Sequence, residues 1–246
     1  MGRGSPLCRA ERPSFVKPWG RFSSLFLAAV VLLVSQTVAL AALVWWYGLP
    51  ISKLPELGGD GIAVTVIIFV STPIELILLA IFAQRAGATA SDYLAWRMPR
   101  RADVIVGVVS VAAFIILANL VSWLAGRNLI TSFQSDIYTT AAAQGWLPML
   151  WLAVVVVTPI GEESLFRGFL FQGWFREPKD AWPAIIVTSA VFALMHVQYD
   201  WFVIGQVFGF GVLLGWMRWV SGSTLLTMAL HAIINCEGMI ETLVSR

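Results

Sequence analysis

Seven apolar runs divide most of the chain, at 24–47, 62–83, 104–125, 146–175, 182–197, 201–219 and 223–244. A helix crosses the hydrocarbon core of a bilayer with about 20 mostly apolar residues, at about 1.5 Å of rise each, so each run predicts a membrane helix. The fourth is longer than needed and must tilt or bend, and the fifth is short. Residues 129–143 leave room for one further interfacial or re-entrant turn. The pattern therefore predicts an all-α, polytopic transmembrane bundle of seven helices, or eight with that turn. Most of the tryptophans, among them Trp45, Trp46, Trp96, Trp146, Trp174, Trp182, Trp201 and Trp219, fall near the ends of runs. Amphipathic rings favour the headgroup level, which supports these boundaries.

Composition agrees. Hydrophobic residues make up 59% of the 246 positions and charged ones 12%, and the mean hydropathy of +0.81 excludes an ordinary soluble domain. Cys8 and Cys236 form neither a disulfide framework nor a metal cluster. There is no internal repeat, Gly/Ser linker or low-complexity tract. The expected organisation is a basic, Pro-containing tail over residues 1–22, mobile and drawn to anionic lipid. It precedes one transmembrane domain over 23–246, whose motif-bearing core is 146–240. The first run could be taken for a secretion signal, since Ala39-Leu40-Ala41 resembles a cleavage site, but it continues to Trp46, which favours a retained anchor.

Charge sets the expected orientation. With a cytoplasmic amino terminus, the inner segments hold Arg3, Arg9, Arg12, Lys17, Arg21, Arg85, Arg97, Arg100, Arg101, Arg176, Lys179 and Arg218. The outer ones hold only Lys53, Arg127 and Arg246, a strong positive-inside asymmetry. Compactness and short loops point to a bacterial inner membrane. Membrane lipids, and not nucleic acid, are the expected surroundings.

Ionisable residues inside such a bundle are expensive and usually face a packed interior, a cavity or a reaction. Glu162 and Glu163 stand in the fourth run, and the only two histidines, His196 and His231, in later ones. Glu163 and Arg167 are four apart with the acid first, the better order for an ion pair along a helix. Glu162 projects about 100° away and is left uncommitted. Phe192 and His196, and His231 and Asn235, are likewise four apart and share faces. Counted from the expected cytoplasmic ends, Glu162, His196, His231 and Asn235 reach depths of about 12 to 21 Å, within about two helical turns of one another.

Such a cluster suits hydrolysis. A carboxylate shielded from bulk water is a stronger base towards a water molecule, a neighbouring histidine orients that water or moves its proton, and a His/Asn pair donates to an oxyanion. Ser164 and Cys236 lie beside these residues, but neither has a histidine base at local spacing.

The bland alternatives are structural. Glu163–Arg167 serves as an ion pair that fixes the helix, Glu162 as a protonated acid bonded to backbone, and Phe192 as packing or a pocket wall. Pro159 and Gly161 are expected to bend the fourth helix. Glu75, beside Pro73, bonds within the bundle or lines a cavity, Asn119 bonds between helices, and Glu237 and Glu241 are solvated at the far interface.

Glu162-Glu163-Ser-Leu-Phe-Arg167, Phe192-Ala-Leu-Met-His196 and His231-Ala-Ile-Ile-Asn235, in this order on separate runs, resemble the CPBP family. Its members include type II CAAX prenyl endopeptidases and bacteriocin-processing and abortive-infection proteins. The resemblance covers roughly residues 146–240; the first three runs carry no comparable motif. It implies a membrane-embedded endopeptidase in which Glu162 and His196 activate water and His231 and Asn235 bind the oxyanion, supported by Glu163, Arg167 and Phe192. The implied partner is a membrane-tethered peptide or protein, which in eukaryotic members is prenylated. The family is commonly labelled as metalloproteases. Glu162, His196 and His231 could hold zinc with water in the fourth position, yet His-Glu-x-x-His is absent and a metal-free glutamate mechanism also fits. Two other functions compete: a proton-coupled transporter or ion relay, and a non-catalytic membrane scaffold. Transporters often show paired broken helices in repeats, whereas the polar residues here gather in the carboxy-terminal half.

Overall fold

The computed structural model describes residues 18–48 and 50–245. The expected tail falls, for residues 1–17, outside the described residues, as do Cys8 and Arg246. All regular structure among the described residues is helical. The principal helices are α1 (Arg21–Tyr47), α2 (Gly61–Arg85), α3 (Arg101–Leu124), α4 (Ser132–Ala143), α5 (Leu147–Trp174), α6 (Ala181–Leu194), α7 (Trp201–Ser221) and α8 (Thr224–Val244). Five of them, α1, α2, α3, α5 and α7, are long and apolar enough to cross a membrane. The chain is an integral membrane protein with an all-α polytopic bundle.

The extra turn expected within 129–143 is α4. It is started by a capping box in which Thr131 accepts from the Gln134 N–H while the Gln134 side chain accepts from the Thr131 N–H. The fifth apolar run departs from expectation, because α6 ends at Leu194 and not at 197. Its 14 residues span about 21 Å, short of a bilayer core. Beyond Leu194 the chain folds into turns, with the His196 N–H on Ala193 O and the Tyr199 N–H on His196 O. Asp200 then starts α7 by accepting from the N–H groups of Phe202 and Val203. Residues 195–200 thus form a polar connection where a longer helix was expected.

Helices alternate in direction, so the bundle has two unlike ends. At the near end, Trp19 Nε1 donates to Phe82 O over 3.0 Å, the Thr224 N–H to Ala95 O over 3.0 Å, and Arg21 to Asp180 over 2.7 Å. At the far end, Tyr47 donates to Asp60 over 3.1 Å, the Gly61 N–H to Thr140 over 2.7 Å, and Arg127 bridges to Asp200. Between the ends runs α5, buried at every residue from 163 to 173 and in contact with α1, α2, α6, α7 and α8. Over that stretch α5 has no lipid-facing stripe, so polar groups on it must find partners inside the protein.

Two positions test this arrangement. A Cβ on Gly61 would lie 2.1 Å from Ile137 O and 2.8 Å from Ala141 Cβ, so only glycine lets α4 seat against the start of α2. Gly61→Ala is expected to cost about 1–3 kcal/mol through overpacking, read as a lowered Tm of the purified protein in detergent. Asp180 ties α1 to the connection before α6. Burial alone would lift its carboxyl, but the N–H groups of Glu177 and Arg176 and the Arg21 guanidinium outweigh that and hold it below the usual carboxylate range. The stability it contributes is therefore full above its unfolded pKa and is lost as pH falls through the lower folded value. Asp180→Asn is expected to shrink the acid limb of the Tm–pH curve, measured from neutral pH downwards.

Candidate active site

Two π-helical segments in α5, Ala153–Val157 and Ser164–Leu170, flank the two glutamates. At the first, the Thr158 N–H reaches back five residues to Ala153 O, and Pro159 has no N–H to offer, so Val154 O is released from the helix. Asn235 Nδ2 of α8 donates to it over 2.8 Å. At the second, the Phe171 N–H turns to Phe166 O, and the freed Arg167 O accepts from Arg218 Nε of α7 over 3.0 Å. Each bulge thus trades a helical bond for a bond to a neighbouring helix. Gly161 lies between them. A Cβ there would stand 3.0 Å from Glu75 Oε2 and 3.1 Å from Thr72 Cγ2, so its absence brings α2 and the Glu75 carboxyl against α5 beside Glu162.

Glu163 is fully buried, and its Oε1 accepts from Arg167 Nη1 over 2.9 Å and faces His231 Nδ1 at 3.0 Å. The ion pair expected along the helix is present and has gained a third member from α8. Arg167, also fully buried, sends Nη2 to Gly211 O of α7 over 3.1 Å and lays its guanidinium 4.5 Å from the centre of the Phe192 ring. Desolvating these charges is tolerable only because each is met by a partner of opposite sign or a hydrogen-bonding group.

Glu162 projects from the same helix to the wall of a cavity. Its side chain is 31% exposed, and Oε2 stands 3.8 Å from His231 Nε2 with no hydrogen-bond partner among the described residues. His231 therefore lies between two carboxyls. With Glu163 accepting at Nδ1, that nitrogen carries a proton, and Nε2 is the atom turned towards Glu162. His196 is set in a similar way: its Nδ1 faces Phe192 O at 2.9 Å, and a carbonyl can only accept, which leaves Nε2 as the free nitrogen. Phe192 meets both imidazoles edge-on, at 4.8 Å from His196 and 5.9 Å from His231, and so serves as their common wall.

Glu162, His196, His231 and Asn235 all line one cavity of about 960 Å³, together with Glu75. The grouping matches the expectation, with differences in detail. The imidazole near Glu162 is that of His231; His196 lies in the turn after α6, not within a helix. Asn235 has one N–H committed to Val154 O, which leaves the other for the cavity. Glu237 and Glu241, expected to be solvated at the far interface, are half-buried on the cavity wall and accept from Asn119 over 3.4 and 3.0 Å. The Ser164 hydroxyl is buried and given to Ile160 O over 2.6 Å, which removes it as a nucleophile.

Three contributors were missed by sequence reasoning. Phe210 packs edge-on to His231 at 5.3 Å, Tyr199 stacks on His196 at 6.1 Å, and Gln206 donates to Ala118 O over 3.2 Å and to Ser122 over 2.9 Å on the cavity wall. Gln206 and Phe210, four apart on one face of α7, gave a usable signal; Tyr199 gave none. As for zinc, no three His, Cys, Asp or Glu side chains converge as a metal centre requires, among the described residues. His196 and the Glu162–His231 pair share the cavity without meeting as ligands, and this arrangement does not fit the ion.

Arg167→Met would leave the Glu163 carboxylate buried with one donor fewer. It is expected to destabilise the fold by about 3–5 kcal/mol, read as lost folded yield and a lowered Tm in detergent, with Arg167→Lys intermediate.

Neither a curated protein nor a solved structure matches the chain. Residues 144–236 do match a protein family, and they span α5 to most of α8, including every motif residue in the cavity. Over these residues the chain is similar to the family described as type II CAAX prenyl endopeptidase Rce1-like, in agreement with the resemblance that its three motifs carry.

Proposed function

We propose that the chain hydrolyses a peptide bond in a membrane-associated peptide or protein, with Glu162 drawing the proton from the attacking water. The observation that carries this is the contrast between adjacent glutamates: Glu163 is sealed, with Oε1 held by Arg167 and His231, while Glu162 lines the cavity, its side chain 31% exposed and its Oε2 3.8 Å from an oriented imidazole. The family match supports a membrane protease, and the residue roles and the substrate are our reading.

In this mechanism a water in the cavity gives a proton to Glu162 as its oxygen bonds to the scissile carbonyl carbon. The carbonyl oxygen takes up negative charge, which the second N–H of Asn235 stabilises by donating to it, joined by His231 when its Nε2 carries a proton as well as its Nδ1. Nε2 of His196 orients the water. The C–N bond then breaks and Glu162 returns its proton to the departing amine, so protons balance and no covalent enzyme intermediate forms. Glu163, Arg167 and Phe192 act through the histidines by holding their rings. Apolar wall residues such as Ile67 and Ile68 of α2 and Phe114 and Ile115 of α3 give a membrane-tethered segment a surface to lie on.

Transport is the weaker reading. A transport path needs polar openings at both ends, and beyond Glu162 every residue of α5 from 163 to 173 is buried.

The test is peptide-cleavage profiling of the purified protein in detergent, wild type against Glu162→Gln, with and without a strong chelator. Glu162→Gln is expected to lose cleavage by about 10²–10⁴-fold with unchanged folded yield, and the chelator to have no effect. Asn235→Ala is expected to lower kcat by about 10²-fold with little change in KM. Full activity in Glu162→Gln would defeat the mechanism.

A further inference from the structure

The cavity is blind at one end and open at the other, and the two ends differ in charge. Its floor lies at mid-depth, at Glu75, Glu162 and His231, and its walls run to the far end, where Asn128, Gln134 and Asp200 stand at the mouth. Gly126 to Leu129 and Asp200 are exposed there, and the Arg127–Asp200 ion pair joins α3 to α7 beside the opening. Towards the near end the floor is closed by Phe166, Phe169 and Leu170 of α5, packed with Tyr93 and Leu94.

The basic residues are at the closed end. Arg21, Arg85, Arg97, Arg100, Arg101, Arg176, Lys179 and Arg218 lie at the near end of the described residues, against Lys53 and Arg127 at the far end. Both ends hold ion pairs, Lys53–Glu56 and Arg127–Asp200 at the far end and Arg21–Asp180 and Lys179–Glu177 at the near end, so it is the number of basic residues that sets the ends apart. Short flanking segments rich in Lys and Arg stay on the cytoplasmic side of a membrane, where anionic lipid also attracts them. The exposed rings of Trp45, Trp46, Trp123 and Trp201 mark the interface at the far end, so the polar residues of the mouth lie at the level of a membrane surface.

We infer that the site receives its substrate from the membrane face opposite the cytoplasm. Given the proteolytic reading, that substrate is a membrane-tethered polypeptide whose cleaved segment emerges on the outer side. Segments confined to the cytoplasm meet only the closed, basic end. The polar connection 195–200 is part of this design: because α6 stops short, His196 sits at the inner rim of a water-accessible mouth.

The experiment does not depend on catalysis. In a full-length background with Cys8→Ser and Cys236→Ser, single cysteines are placed at the mouth, Asn128→Cys, and at the near end, Met98→Cys; both positions are exposed. Intact cells are treated with a membrane-impermeant maleimide, and a second sample is treated after permeabilisation. The expected result is labelling of Asn128→Cys in intact cells and of Met98→Cys only after permeabilisation. The reverse pattern, or labelling of Met98→Cys in intact cells, overturns the inference. Cleavage by the purified protein in detergent is scored separately, so inactivity there sinks the proteolytic reading and leaves the direction of access to be decided by the labels.

Discussion

The structure turns on a single carboxylate oxygen, Glu163 Oε1, which joins Arg167 and His231 inside an apolar bundle. A charge in such surroundings is tolerated only when its partners are close and its geometry is fixed, so this contact dictates much else. It sets the rotation of α5 against α8, places Arg167 over Phe192 and turns the His231 ring so that Nε2 looks into the cavity. Weakening any member leaves the others buried without compensation. The triad is therefore a registration device first and a support for chemistry second.

The π segments of α5 are the second constraint. A regular helix through 147–174 would satisfy its own carbonyls and give its neighbours nothing to hold. Each bulge instead exposes one carbonyl, which Asn235 and Arg218 occupy from α8 and α7. The same distortion that lodges Glu162 beside a cavity thus bonds α5 to the two helices that complete the site. Pro159 and Gly161 lie at its root, one by lacking a donor and the other by lacking a side chain.

Much of this was legible in the sequence because membrane burial makes local pattern decisive. Apolar length gave seven of the eight helices to within a few residues, and 129–143 was marked for the eighth. The i,i+4 spacing gave Glu163–Arg167 and placed His196 beside Phe192. Depth counting gathered Glu162, His196, His231 and Asn235 into one layer, and they do share a cavity. What stayed hidden was long-range. The Glu163–His231 contact joins residues 68 apart and depends on how α8 rotates against α5, which no local spacing encodes. Hydropathy also extended α6 too far: Met195 and Val197 are apolar enough to prolong the run, while the cap at Asp200 and the turns at His196 decide where it ends. That Glu237 and Glu241 line the cavity was hidden for a related reason, since position near a helix end says nothing of a cavity reaching down from that end.

Adjacent, chemically identical residues acquire opposite duties here through rotation alone. A step of about 100° along a helix separates Glu162 from Glu163, and between them runs the boundary between packed protein and accessible cavity. Exchanging the two environments would put the free carboxyl where water cannot reach it and the ion pair where solvent would weaken it. The sequence Glu-Glu is therefore a matched pair: the enclosed acid spends its charge on order, and that order keeps the other acid beside an imidazole in a cavity large enough for a peptide. A membrane helix can carry two such groups at mid-depth only if one of them is paired inside the protein, which is why Arg167 must follow at its spacing and why the other acid lines the cavity and not the lipid.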